Sequence, residues 1–259
     1  MLEARDIHVT LGRRAVLHGV ALAAAPGTLT CIVGPNGSGK TTLLGALTGD
    51  VPHTGSVTLN GRDTARLRPW ELAAMRGVLP QIATLAFPFT VAEVVRIGLQ
   101  SGAAGDHNEI AQEALGRVGL AAHADRPYQQ LSGGEQQRVQ LARVLAQVWE
   151  PVSPEGPRWL LLDEPVSSLD IGHQLEVMEV ARAFAQAGGG VVAVMHDLNL
   201  SAMFGDRMLC LAEGRVVACG TPEEVMTDAT LSRAYGCTIR VNAAPGQSTF
   251  VLPQMAATA

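Results

Sequence analysis

A Gly-rich run near the start of the chain has the residue types and spacing of a phosphate-binding loop. The pattern Gly-x-x-x-x-Gly-Lys-[Ser/Thr] is matched by Gly34-Pro35-Asn36-Gly37-Ser38-Gly39-Lys40-Thr41. Glycines let the backbone curl until successive N–H groups point at phosphate oxygens, and a helix predicted from Thr42 onward adds the positive end of its dipole. Lys40 is expected to reach the β- and γ-phosphates, and the Thr41 hydroxyl to bind Mg²⁺. The sequence therefore predicts a binding site for a nucleoside triphosphate.

Two carboxylates follow an apolar run later in the chain. Residues 159–162 are all apolar, and Asp163 and Glu164 come directly after them. Ligands collect at strand ends in open parallel sheets, and adjacent residues of a strand point to opposite sides. The two carboxylates are therefore expected to have different roles. Asp163 suits the Mg²⁺ shell, directly or through water, which leaves Glu164 to polarise the water that attacks the γ-phosphate.

Short apolar runs alternate with longer helical patterns, and this alternation predicts an α/β fold. Buried strands are predicted at residues 28–33, 159–162 and 191–195, and a further strand at 55–61 closes with an Asn-Gly turn. Helices are predicted within residues 135–147 and 174–186, which contain neither Gly nor Pro.

The middle of the chain differs from both flanks. Residues from about 83 to 149 show mostly helical patterns and no convincing strand, so we expect a helical lobe inserted in the α/β core. A stiff loop with three prolines follows at residues 150–157. We therefore expect one domain, with its core in residues 1–82 and 150–240 and a C-terminal extension at 241–259.

Composition limits the classes of partner. The chain of 259 residues has 19 basic and 24 acidic side chains, a formal charge of −5, which argues against a nucleic-acid partner. The N-terminus has no secretory h-region, no stretch is long and apolar enough for a membrane helix, and the four cysteines are scattered. A soluble cytoplasmic chain with free thiols is expected. Its single lysine, Lys40, lies in the phosphate loop.

Four further motifs resemble those of the ABC-type ATPases, in the order that this family has them. Along the chain they are Gln81 as the Q-loop residue, the signature Leu131-Ser132-Gly133-Gly134-Glu135-Gln136, Asp170 in the D-loop and His196 as the switch histidine. The resemblance covers roughly residues 2–240. It implies a P-loop NTPase core with an antiparallel β subdomain and an inserted helical lobe, and ATP and Mg²⁺ as cofactors. It also implies catalytic roles for Glu164, His196, Gln81 and Lys40, and Mg²⁺ binding by Thr41, Gln81 and Asp163.

The signature has two interpretations. Ser132 followed by two glycines forms a second anion-receptive helix start, although a plain helix cap would use the same serine. One triphosphate does not need two such sites. In the family, the signature closes on the γ-phosphate of a partner subunit, so the resemblance implies a head-to-tail homodimer with two composite sites. His196 likewise is either structural or a donor to the transferring phosphoryl group.

The adenine contact departs from the family pattern. Where the family usually has an aromatic residue that stacks on the base, this sequence has Leu11. Leucine offers apolar surface without a π face, and Arg13 or Arg14 is the candidate for stacking.

The segment after Gln81 is the candidate contact with a membrane partner. It contains Leu85, Phe87, Pro88 and Phe89. Packing within the helical lobe is one interpretation, and a groove at residues 81–98 for a helix of a membrane permease is the other.

The strings around Phe87, Trp159, Asp170 and His196 resemble the haem-importer ATPases within the iron-complex and cobalamin importer group. That branch implies two permease copies, a periplasmic haem-binding protein and a location at the cytoplasmic face of the inner membrane. A ferric-siderophore or cobalamin importer, and a soluble ABC ATPase outside transport, are the alternatives.

Overall fold

The computed structural model describes residues 1–81, 87–101, 108–244, 246 and 249–255, which contain twelve strands and nine α-helices. The strands are β1 (Leu2–Leu11), β2 (Arg14–Ala24), β3 (Leu29–Val33), β4 (Thr54–Leu59), β5 (Arg62–Asp63), β6 (Arg76–Leu79), β7 (Val152–Ser153), β8 (Gly156–Pro157), β9 (Trp159–Asp163), β10 (Gly190–Val194), β11 (Arg207–Ala212) and β12 (Arg215–Gly220). The helices are α1 (Lys40–Thr48), α2 (Pro69–Met75), α3 (Val91–Ser101), α4 (Asn108–Arg117), α5 (Gly133–Gln147), α6 (Ile171–Gln186), α7 (Leu198–Phe204), α8 (Pro222–Val225) and α9 (Asp228–Tyr235).

The apolar runs form the centre of a six-stranded sheet in the order β12-β11-β3-β10-β9-β6. Pairing is parallel from β11 to β6, and β12 is antiparallel to β11. Every residue of β3, β9 and β10 is buried, as expected for parallel strands that are covered on both faces. The predicted α/β fold class is confirmed, and the three predicted buried strands lie within one or two residues of their predicted positions.

Side chains of each central strand alternate between two apolar layers. In β9, Leu160 and Leu162 pack into a layer formed with the helices α3 to α7, whereas Trp159 and Leu161 face α1 and the antiparallel sheet. The parallel sheet is therefore the middle layer of the molecule.

A second, antiparallel sheet has the order β2-β1-β4-β5 and forms the expected β subdomain. The predicted Asn-Gly turn is present between β4 and β5, with Asn60 at φ 52° and Gly61 at φ 77°. The Asn60 side chain accepts a hydrogen bond from Trp159 Nε1 at 3.1 Å and donates to the Pro157 carbonyl at 2.8 Å. The turn thereby joins the antiparallel sheet to the first residue of β9.

Helices α3, α4 and α5 occupy the chain between β6 and β9, the region for which a helical lobe is predicted. Within 87–101 and 108–149, the structure has no strand and one isolated bridge, between Thr90 and Pro127. The predicted boundary of the lobe at residues 82–83 lies outside the described residues. The Pro-rich loop contains the short hairpin β7-β8. No helix in the described ranges has the length and apolarity that crossing a bilayer requires.

A buried arginine closes the end of α1, the helix that follows the phosphate loop. The Arg76 guanidinium donates to the carbonyls of Leu47 at 3.0 Å and Thr48 at 2.5 Å, in the last turn of α1. A cation at this end of a helix also interacts favourably with the helix dipole. Arg76 begins β6, so this contact ties α1 to the sheet on the side away from the loop.

We predict that Arg76→Met lowers the free energy of unfolding by about 2 kcal/mol, because two buried carbonyls lose a charged donor. Urea unfolding of both proteins measures the difference. The matched control is Arg5→Met, since Arg5 is exposed and its ion pair with Glu3 is at the surface, where we expect less than about 0.5 kcal/mol. Equal losses in the two variants would contradict the proposed role of Arg76.

Candidate functional site

The phosphate loop joins the end of β3 to the start of α1 and needs glycine at defined positions. Gly34 has φ 146°, and a Cβ there would lie 1.9 Å from the Leu211 carbonyl oxygen. Gly39 has φ 103°, and a Cβ there would lie 2.8 Å from Leu17 Cδ2. Both positions combine left-handed backbone with a close neighbour, so a side chain is excluded at each. The spacing of the glycines therefore fixes the path of the loop.

Lys40 lies inside this loop. Its Nζ donates to the carbonyls of Gly34 at 2.9 Å and Pro35 at 3.1 Å, and the residue is only 5% exposed. The pKa of the Lys40 ammonium is below its ordinary value, because burial lowers it by more than the carboxylates of Glu164 and Asp163 raise it. The charge is thus held within a cradle of backbone dipoles at the place where phosphates are predicted to bind.

Oxygen ligands converge beside the loop. Thr41 Oγ1 donates to Asp163 Oδ1 at 3.2 Å, which joins the start of α1 to the last residue of β9. Burial raises the pKa of Asp163, and the hydrogen bond from Thr41 opposes that rise. A hydroxyl, a carboxylate and the nearby Gln81 amide fit Mg²⁺, which takes oxygen ligands and completes its shell with phosphates and water. Among the described residues, no group of three or more His, Cys, Asp or Glu side chains is placed to hold a metal ion. Mg²⁺ does not require such a group, because substrate phosphates and water supply most of its ligands.

Glu164 has a conformation that strand alternation does not predict. Strand β9 ends at Asp163, and Glu164 has φ 50°, a left-handed conformation that costs a non-glycine residue about 1–2 kcal/mol. Its N–H donates to the Val194 carbonyl at 3.1 Å. Its carboxylate Oε1 lies 2.5 Å from His196 Nε2. The turn at Glu164, rather than continued strand geometry, separates its carboxylate from that of Asp163.

One cavity of about 680 Å³ brings most of these groups together, although Gly34 and Asp163 are not among its lining residues. Its lining residues are Arg14, Val16, Asn36, Gly37, Gly39, Lys40, Thr41, Thr42, Gln81, Glu164 and His196. Lysine, hydroxyl, amide, carboxylate and imidazole groups therefore face one space that is large enough for a nucleotide. Pro35 and Ser38 line an adjoining cavity of about 600 Å³.

The residues predicted to contact adenine do not line the main cavity. Leu11 is 49% exposed, and neither Leu11 nor Arg13 contributes to the lining, whereas Arg14 and Val16 do. Strand β2 packs against the loop, since a Cβ at Gly39 would also lie 3.5 Å from the Val16 carbonyl. Arg14 is one of the two arginines that the sequence offers for stacking on the base. No sequence motif identified Val16, which only the packing of β2 brings to the cavity.

The signature residues do not line the main cavity, and two of them, Gly133 and Gln136, line a smaller cavity of about 170 Å³ together with Gln81. Ser132 caps α5: its Oγ accepts from the Glu135 N–H at 3.3 Å, and Glu135 Oε2 accepts from the Ser132 N–H at 2.8 Å and from its Oγ at 2.7 Å. The bonds that the Glu135 carboxylate accepts, first from the Ser132 hydroxyl and then from its N–H, lower the pKa of Glu135. Among described residues, the main cavity has no lining residue from the signature, 131–136. The cap is therefore present, and Ser132 and Gly133 remain exposed.

Asp170 also caps a helix, α6. It accepts hydrogen bonds from the backbone N–H of His173 at 3.0 Å and from the His173 ring at 2.9 Å. Both bonds lower the pKa of Asp170. Asp170 lies outside the main cavity in this subunit.

Comparisons with known proteins agree with one another. A family model described as "ABC transporter" matches residues 17–167. The hemin import ATP-binding protein HmuV of Roseobacter denitrificans is 64% identical over 256 residues, which cover 98% of each chain. The protein of the same name from Jannaschia sp. is 62% identical, covering 99% of this chain and 95% of that one.

Solved structures give the same fold. An ATP-binding subunit of an ABC transporter matches with a TM-score of 0.74 and 22% identity, over 92% of this chain and 94% of that one. A bacterial Atm1-family ABC exporter with ATP bound matches with a TM-score of 0.77 and 26% identity, over 91% of this chain and 41% of that one.

We predict that Lys40→Met weakens the binding of ATP at least about tenfold, because a charged donor to phosphate oxygens is lost. Lys40→Arg is expected to resemble Lys40→Met, since a broad guanidinium does not fit where Nζ lies within 3.1 Å of two carbonyls. Calorimetric titration measures both, with Arg5→Met as the control. Wild-type affinity in the arginine variant would show that the shape of the loop does not select lysine.

Proposed function

Because the chain belongs to the ABC transporter family as an ATP-binding, ATP-hydrolysing subunit, we propose that it powers the import of haem through a partner membrane permease. One observation carries the substrate: 64% identity, over 98% of both chains, to a protein named for hemin import. No group of this chain needs to touch haem, since the chemistry of the site is that of ATP.

Hydrolysis is assigned to groups that face the main cavity and to Asp163, which accepts a hydrogen bond from Thr41 beside it. The loop amides and Lys40 would hold the phosphates, and Thr41, Gln81 and Asp163 would hold Mg²⁺, which would neutralise charge on the phosphates. Glu164 accepts a proton from the attacking water at a carboxylate oxygen. The short contact between its Oε1 and His196 Nε2 supports this role, because it fixes the carboxylate and leaves the ring beside the site of phosphoryl transfer.

A second copy of the chain is proposed to complete each site. The cavity around Lys40 has no described lining residue from the signature, while Ser132 and Gly133 are exposed at the start of the 15-residue helix α5. A helix start is attractive to a phosphate. In a head-to-tail homodimer, the start of α5 in each copy would face the triphosphate held by the other copy, and Asp170 would lie near this contact.

The proposed permease contact lies at residues 81–98, of which 82–86, including Leu85, are outside the described residues. Its two phenylalanines differ. Phe89 packs against the core of the helical region, whereas Phe87 is 67% exposed, with the ring centroids 6.1 Å apart. Packing in the lobe thus accounts for Phe89, and Phe87 is left as an apolar anchor for a permease helix.

The resulting assembly has two ATPase subunits and two copies of the membrane permease. The ATPase subunits lie at the cytoplasmic face of the inner membrane, where they bind the permease. A periplasmic haem-binding protein is an indirect partner, and nucleic acid is not a partner. The same subunit would serve a ferric-siderophore or cobalamin importer without any change at the ATP site, so the substrate must be tested by transport.

We predict that Glu164→Gln lowers the rate of ATP hydrolysis at least about a hundredfold and leaves ATP affinity within about threefold of wild type, because the amide cannot accept the proton of water. Phosphate release and calorimetric titration measure the two quantities. The control is Glu176→Gln, at an exposed carboxylate. Wild-type turnover in Glu164→Gln would remove Glu164 as the base.

The substrate is tested in vesicles that contain this chain and the permease encoded beside its gene. We predict that the neighbouring binding protein loaded with haem stimulates ATP hydrolysis and transports haem, and that ferric siderophore and cobalamin do neither. Phe87→Asp is expected to abolish the stimulation and to keep the basal ATPase rate of the isolated subunit. Transport of one of the other ligands alone would reassign the substrate, and hydrolysis that no ligand stimulates would favour a role outside transport.

A further inference from the structure

Gln137 lies one turn inside α5 and contacts the backbone of Glu164. Its Nε2 donates to the Glu164 carbonyl oxygen at 2.9 Å. We propose that Gln137 is a positioning residue that holds the turn at Glu164 and thereby couples the signature end of α5 to the catalytic carboxylate of the same subunit. The inference rests on the proposed role of Glu164 as the base.

The hydrogen bond from Gln137 acts on a residue whose backbone conformation is unfavourable by itself. At φ 50°, Glu164 is held in a left-handed turn on which the direction of its carboxylate depends. Its N–H is fixed by the Val194 carbonyl, at the end of β10. Its carbonyl accepts from the Ser167 N–H at 3.3 Å and from Gln137 at 2.9 Å, so the shorter bond comes from α5.

Packing alone does not favour a glutamine at this position. Gln137 Oε1 is buried and, among the residues that the structure describes, receives no hydrogen bond. A buried acceptor without a donor costs free energy that a methionine would avoid. Gln140, one turn further along α5, differs, because its Nε2 donates to the Tyr128 hydroxyl and its Oε1 accepts from Arg143. The bond to the Glu164 carbonyl is thus the polar interaction that a glutamine at 137 gains.

The start of α5 also packs closely on the segment that follows Glu164. A Cβ at Gly134 would lie 3.0 Å from Leu169 Cδ2 and 3.3 Å from the Ser168 carbonyl oxygen. The start of α5 therefore contacts the chain at two places, at Glu164 through Gln137 and at residues 168–169 through Gly134. When the start of α5 engages the triphosphate of the other copy, Gln137 links that contact to the Glu164 carbonyl and holds the carboxylate in its position beside His196.

The first test is Gln137→Met, which keeps the length of the side chain and removes the donor. We expect kcat for ATP hydrolysis to fall about tenfold and KM for ATP to stay within about twofold, because the phosphate contacts are unchanged. Gln137→Glu, whose carboxylate cannot donate, is expected to show the same split. The matched control is Gln147→Met, since Gln147 is on the same helix and donates to the carbonyls of Ala73 and Arg76. Its kcat should match wild type.

A double-mutant cycle separates positioning from general damage. In a Glu164→Gln background, adding Gln137→Met should reduce single-turnover hydrolysis by less than about twofold, because the group that Gln137 positions has already been lost. A full tenfold further loss, or wild-type kcat in both Gln137 variants, would overturn the inference. If Glu164→Gln itself keeps turnover, the base assignment and the inference both fail. If Glu164→Gln loses turnover and the Gln137 variants do not, only the inference fails.

Discussion

The parallel pairing of β3, β10 and β9 is the constraint on which the site depends. Val194 pairs with Ile32 on one side and with Asp163 on the other, so the carboxyl ends of the three strands lie side by side. The phosphate loop follows β3, Glu164 follows β9 and His196 follows β10. Backbone bonds continue past the strand ends, from the Glu164 N–H to Val194 and from the Met195 N–H to Ile32. Residues distant in sequence thus meet at one edge of the sheet.

The site contains buried charged groups and one residue in a strained backbone conformation, and the surrounding sheet and helices hold them in place. Lys40 is buried among backbone carbonyls, Asp163 is buried against Thr41, and Glu164 is in a left-handed conformation. Each of these features costs free energy in isolation. Contacts outside the cavity hold the helix or the turn on which these residues lie. Arg76 closes the far end of α1, and α5 holds the Glu164 carbonyl. Bound phosphates and Mg²⁺ would then meet groups already held in position.

Local sequence predicted the elements and most of the groups that face the cavity. The glycine spacing, the apolar run before Asp163 and the Asn60-Gly61 turn are short-range signals, and the structure has the corresponding loop, strand and turn. What the sequence did not predict depends on tertiary contact. Val16 reaches the cavity through the packing of β2, the turn at Glu164 replaces the expected alternation, and Gln137 meets Glu164 across 27 positions of sequence. No local pattern encodes these contacts.

No described residue of the signature lines the cavity around Lys40. A composite site, completed by the signature of a second copy, is therefore the central claim. It is tested most directly by sedimentation velocity of the Glu164→Gln variant with and without ATP and Mg²⁺, since slow hydrolysis keeps the nucleotide in place. A shift from the mass of one 27.1 kDa chain to twice that mass, only when ATP is present and only while Ser132 is intact, is the result that two shared sites predict. A species that remains a single chain with ATP fully bound would contradict the composite site.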